Sequence, residues 1–130
     1  MTSALPFRIQ HVTIDSHRPY ALAQFWSTVT GWPISHEDEP DSPEVALEPP
    51  DPNLPELLFV TVADRKIGKN RLHFDLMPLA TTRDEEVERL VAAGATLVDD
   101  RRKANGRGWA VLADPEGNEF CVEASQAERE

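Results

Sequence analysis

Cysteine is nearly absent from this sequence. Cys121 stands alone, so no disulfide forms within the chain, and the expected setting is a reducing one. Long apolar runs are missing too, none approaching the ~20 residues that a helix needs to cross a bilayer. Residues Met1 to Gln10 hold neither a basic segment followed by an apolar one nor a lipidation pattern, so the expectation is a cytoplasmic protein with no membrane partner. Basic residues are scarce, 13 against 23 acidic, and the net charge of −10 disfavours nucleic acid as a partner. Those present gather in two candidate loops, Arg65, Lys66, Lys69 and Arg71 in one and Arg101, Arg102, Lys103 and Arg107 in the other. They are either solvated loop residues or a rim that attracts an anionic small molecule.

What remains is an ordinary globular composition, 40% apolar and 28% charged over 130 residues, which suits a single domain, residues 1–130, with its own core. Phe7 to Asp15 reads as a half-buried strand. Val12 and Ile14 fall on one side and His11, Thr13 and Asp15 on the other, with Phe7 and Ile9 in the His11 phase. Ser16-His17-Arg18-Pro19 supplies a cap and first turn. Leu22, Phe25, Trp26 and Val29 then recur at helical spacing until Gly31. Residues 37–56 hold six of the eleven prolines and eight carboxylates around Val45-Ala46-Leu47, the mark of hairpin and loop with a brief edge strand. Leu57 to Val62 reads as a well-buried strand.

The pattern then starts again. Leu72, Phe74 and Leu76 alternate with His73, Asp75 and Met77, Thr82 and Glu85 form a capping box, and Val87, Leu90 and Val91 supply a helical stripe that Gly94 ends. Ala95 to Val98, Trp109 to Ala113 and Glu119 to Glu123 read as strands, the last two joined by a turn at Asp114-Pro115-Glu116-Gly117-Asn118. His11 precedes Gly31 by 20 positions and His73 precedes Gly94 by 21. The chain therefore reads as an α+β protein made of a βαβββ unit used twice, module one at about 7–62 and module two at about 71–124.

In each module one sheet face packs on its helix and the other is left open. Side chains alternate along strands, so His11, Thr13 and Asp15, His73 and Asp75, and Glu119, Cys121 and Glu123 share the open phase. Two imidazoles plus a carboxylate suit Fe(II), Mn(II), Ni(II) or Zn(II), and two imidazoles plus a thiolate favour Zn(II).

These residues resemble the vicinal oxygen chelate superfamily, the glyoxalase/bleomycin resistance/dihydroxybiphenyl dioxygenase fold, over about residues 7 to 124. The resemblance is carried by His11 with Phe25-Trp26 and Gly31-Trp32, by Asn70 to Asp75, by Ala93-Gly94-Ala95, and above all by Trp109 to Cys121 with its "DPEGNEF" hairpin. It implies two modules forming a curved mixed sheet around a small-molecule cup. In metal-using members a His on the first strand, a His on its counterpart and a Glu on the last strand bind a divalent ion, and His11 and His73 match the first two. The third place is held here by Cys121, with Glu123 two residues further on in the same phase.

Two functions follow from the resemblance. One is a metal-dependent enzyme of lyase, isomerase or dioxygenase type acting on a small oxygenated molecule. Its metal ligands would be His11, His73 and Glu123 or Cys121, with Glu123 or Asp75 as general base. The other is a metal-free protein that binds and sequesters a drug or metabolite, its cup lined by Trp32, Phe59 and Trp109. The resemblance also implies a homodimer.

Overall fold

The computed structural model describes residues 5–129. The chain divides into two compact units, residues 1–65 and 66–130, and both follow one plan.

Unit one contains β1 (His11–Ser16), α1 (Pro19–Thr30), β2 (Glu44–Leu47) and β3 (Glu56–Thr61). Its sheet has the order β1-β3-β2, with β1 parallel and β2 antiparallel to β3. A single bridge from Ile34 to Leu47 stands where a full strand would complete the βαβββ unit. Pro19 opens α1 at the position where a missing N–H costs nothing, and Gly31, at φ 77°, ends it. Leu22, Phe25 and Trp26 are buried. They turn towards the sheet face that carries Val45, Leu47, Leu57 and Phe59, all at most 5% exposed.

Unit two contains β4 (Asp75–Leu76), α2 (Arg83–Ala92), β5 (Thr96–Arg102), β6 (Gly108–Ala113), β7 (Glu119–Glu123) and the short α3 (Gln126–Arg129). The sheet order is β4-β7-β6-β5, with β4 parallel to β7 and the remaining pairs antiparallel. In both units, then, the last strand of the meander returns to lie parallel beside the first. The capping box forms as read: Thr82 Oγ1 accepts from the Glu85 N–H at 3.1 Å and the Glu85 carboxylate from the Thr82 N–H at 2.9 Å. Val87 and Leu90 are buried with Ala110, Leu112, Phe120 and Val122, whereas Val91 is 44% exposed and lies off the stripe.

Three strands differ from expectation. β1 starts at His11, leaving Phe7 and Ile9 exposed, because its partner β3 starts opposite it at Glu56, just after Pro55. β4 has two residues rather than six, because a side-chain clamp replaces the ladder before it. Asn70 Oδ1 accepts from the Glu119 N–H at 2.8 Å, and Asn70 Nδ2 donates to the Glu119 and Leu72 carbonyls. β5 runs on to Arg102, paired with Gly108. A Cβ at Gly108, where φ is +84°, would stand 2.2 Å from the Arg101 carbonyl oxygen, so only glycine permits that pairing.

The extension of β5 also corrects the reading of the second basic loop. Arg101 and Arg102 are strand residues, paired with Asp99 at 2.8 Å and with Asp100 and Asp84 at 2.9 and 3.2 Å. The Arg102 guanidinium holds the Asp100 carboxyl down at about 2. Lys66, in the first basic stretch, is paired with Glu119 at 3.2 Å. Arg101, Arg102 and Lys66 are thus held in local ion pairs.

No helix among the described residues is long and apolar enough to cross a membrane.

Candidate metal centre

In unit one, the parallel register sets His11 opposite Glu56, Thr13 opposite Leu58 and Asp15 opposite Val60. These residues share the face away from α1, and His11 Nε2 lies 3.5 Å from Glu56 Oε1. Glu56 was not singled out in the sequence, although it precedes Glu119 by 63 positions, close to the offset of 62 between the two histidines. Applying the repeat to the last strand of module one would have found it.

Phe59 does not line this face. It pairs with Ile14 in one register and Val45 in the other and is fully buried, so it belongs to the core beneath α1. Trp32 is half-buried just past the end of α1. Its N–H donates to Thr30 Oγ1 at 3.0 Å and its carbonyl accepts from Ser27 Oγ at 2.7 Å.

In unit two the register pairs Asp75 with Cys121, Val111 with Cys121 and Trp109 with Glu123. The face away from α2 thus carries Asp75, Cys121, Glu123 and Trp109 together, Trp109 being 43% exposed. His73, two residues before Asp75, brings its Nδ1 within 3.1 Å of Asp75 Oδ1. Ligand atoms of His73, Asp75 and Cys121 all lie within 4.8 Å of one another. One imidazole nitrogen from just before β4, one carboxylate oxygen from β4 and one sulfur from β7 is a donor set that fits a divalent ion with affinity for nitrogen and sulfur. Burial pushes the half-buried Cys121 thiol up, and the charge and hydrogen bond of Asp75 push it the same way.

The other two carboxylates of β7 are engaged elsewhere. Glu123 Oε1 takes a 2.7 Å bond from Arg129 Nη2, and Arg129 Nε also donates to the Ala124 carbonyl at 3.1 Å. Arg129 was not picked out in the sequence, and only its six-residue spacing from Glu123 hinted at it. Glu119 Oε1 accepts from the Asn70 N–H at 3.1 Å. Burial raises the Glu119 carboxyl, but the Asn70 and Glu119 backbone N–H groups and Lys66 outweigh it and hold the group below its ordinary range.

A carboxyl depressed in this way contributes stability above its unfolded value and loses it as pH falls through the folded value. Glu119→Ala should therefore lose roughly 2 kcal/mol, the usual loss for hydrogen bonds to a charged group, when unfolding is followed at pH 7. The deficit should shrink as pH drops below the ordinary glutamate value of 4.5. An equal loss at pH 7 and pH 3 would show that the carboxylate charge is not what ties residues 66–70 to β7.

The hairpin that carried the most specific motif proves to be turn chemistry. Buried Asp114 accepts at Oδ1 from the Glu116 and Asn118 N–H groups and at Oδ2 from Asn118 Nδ2, each at 2.9 Å. Gly117 supplies the φ of +89° that the turn requires.

Two α+β units of this topology, each with a mixed sheet and an open polar face, define the glyoxalase/bleomycin resistance/dioxygenase type of fold. The chain belongs to the glyoxalase-like domain family, whose model matches residues 11–123. No curated protein matches the sequence significantly. Among solved structures, a glyoxalase/bleomycin resistance protein/dioxygenase family enzyme from Burkholderia phytofirmans PsJN is 23% identical with a TM-score of 0.67, covering 89% of this chain and 97% of that one. A glyoxalase-related enzyme from Fulvimarina pelagi is 19% identical with a TM-score of 0.64, over 89% and 86% of the two chains. A mutant of the fosfomycin resistance protein FosX from Listeria monocytogenes, in complex with Mn(II) and 1S,2S-dihydroxypropylphosphonic acid, is 14% identical with a TM-score of 0.69, over 96% and 94%. These likenesses establish the fold.

Proposed function

We propose that the protein is a metal-dependent enzyme of the lyase, isomerase or dioxygenase type that acts on a small oxygenated molecule. The observation that carries this reading is the convergence of His73, Asp75 and Cys121 on the open face of unit two. The Mn(II) and dihydroxypropylphosphonic acid bound by the FosX relative agree with it, as does the family match. The same reading takes residues 1–130 as one functional domain and expects a cytoplasmic homodimer, which sedimentation would check.

A bound divalent ion supplies Lewis acidity to adjacent oxygens of the substrate. The chain's own residues do the rest. His73 offers an imidazole whose ring the Asp75 carboxylate orients at 3.1 Å, and such orientation by a carboxylate sets the tautomer of a ligating histidine. Glu123 is the general base, positioned by Arg129 at 2.7 Å on the same face as Cys121. Trp109, opposite Glu123 in the register, presents a half-open indole as a wall for an organic substrate.

Metal analysis of the full chain purified without chelator tests the proposal. Stoichiometric Zn, Ni, Mn or Fe is expected, with loss of the ion in His73→Ala. If no metal is found and none of these four ions is taken up on addition, the enzyme reading fails in favour of a metal-free protein that sequesters its ligand.

A further inference from the structure

The place on the last strand where the family resemblance sets a carboxylate holds Cys121, and the residue in register with it across the parallel pair is Asp75. Register partners on adjacent strands point to the same face, with backbones about 4.8 Å apart. A carboxylate at Asp75 therefore stands one strand over from the family's place, at the same height on the sheet.

We propose that the metal centre is a three-ligand nitrogen–oxygen–sulfur site inside unit two, made by His73, Asp75 and Cys121, and that it prefers Zn(II) to Mn(II). This rests on the metal-dependent reading above and goes beyond it by naming the ligands and the ion. Three observations carry the choice of ligands. The candidate donor atoms lie within 4.8 Å of one another, whereas ligands on one tetrahedral zinc stand about 3.5 Å apart. His73 and Asp75 are 38% and 50% exposed, so their side chains are not locked by packing at that separation. Second, the two remaining carboxylates of β7 have other partners: Glu123 is bound by Arg129, and Glu119 by Asn70 and Lys66. Third, Asp75 already faces His73 at 3.1 Å, so one carboxylate serves the imidazole and the thiolate from a single strand level.

The choice of ion follows from the donors. A thiolate is a soft ligand and Zn(II) binds it well, while Mn(II) sites are built from oxygen with imidazole. Three protein ligands leave the fourth tetrahedral position for water or substrate, the arrangement of catalytic rather than structural zinc.

Titration of the chelator-stripped full chain with Co(II) reads the sulfur ligand directly, because a thiolate bound to Co(II) gives an intense near-ultraviolet charge-transfer band that nitrogen and oxygen ligands do not. One equivalent should develop the band, Zn(II) should bleach it, and a hundredfold excess of Mn(II) should not. Cys121→Ser should lack the band. Removing an outer-shell partner of a metal ligand typically costs 10–100-fold in affinity, so Asp75→Asn, which removes a ligand, should weaken Zn(II) binding by more than about 100-fold. Glu123→Gln should stay within about threefold of the parent.

Stoichiometric metal uptake by the unmodified chain without the band would overturn the proposal and leave the metal-dependent reading standing. So would a loss in Glu123→Gln as large as that in Asp75→Asn. Failure of the unmodified chain to bind Co(II), Zn(II), Mn(II), Fe(II) or Ni(II) would remove both. The band of the unmodified chain decides the sulfur question even if a variant folds poorly.

Discussion

Phe59→Ala should destabilise the protein by about 3–5 kcal/mol, the range for removing a large aromatic side chain from a closed core. Phe59 has no exposed surface, and its register partners Ile14 and Val45 place it on the face that also carries the buried Leu57 and Leu47. Against a typical stability of about 5–15 kcal/mol the loss is a large fraction, and urea unfolding should show the midpoint falling steeply. A loss under about 1 kcal/mol, together with weakened ligand binding, would return Phe59 to the wall of a ligand cup.

Phe120 and Cys121 are consecutive on β7 and should respond in opposite ways. Phe120 is 1% exposed and paired with Leu112, whereas Cys121 is half-buried and paired with Val111 and Asp75. Phe120→Ala should lose about 3–5 kcal/mol of stability. Cys121→Ser, a change of one atom at a half-buried site, should lose no more than about 1 kcal/mol yet abolish the sulfur ligation. The pair is read by urea unfolding and by Co(II) spectroscopy on the same preparations. If Cys121→Ser proved as destabilising as Phe120→Ala, Cys121 would be a core residue and the strand would not separate packing from chemistry.

The alternation of Phe120 and Val122 against Glu119, Cys121 and Glu123 is legible in the sequence, because a two-residue period leaves a strand only two faces. The capping box of Thr82 and Glu85, the closing Gly31 and the Asp114 hairpin are legible for a similar reason. Each is an interaction among residues near in sequence, and the sequence names both partners. Phe59 is misplaced by sequence reasoning because a continuous apolar run has no alternation to show which phase is buried, and only the register with Ile14 and Val45 settles it. β4 is overextended because the alternation of residues 72–77 says nothing of Asn70, whose side chain takes the Glu119 N–H that a longer ladder would have used.

The sequence by itself thus determined the repeated α+β plan, the helix ends, the hairpin and the two histidines at equivalent places, since these rest on period, spacing and local hydrogen bonding. The tertiary structure decided the rest, because it depends on which strands become neighbours. It set Asp75 beside Cys121 in a parallel pair, turned Glu123 to Arg129 and Glu119 to Asn70, and matched Arg102 with Asp100 and Asp84. The near-absent cysteine is the clearest case. One thiol in 130 residues excludes an internal disulfide, but that it stands against a histidine and an aspartate follows only from the register of two strands far apart in the chain.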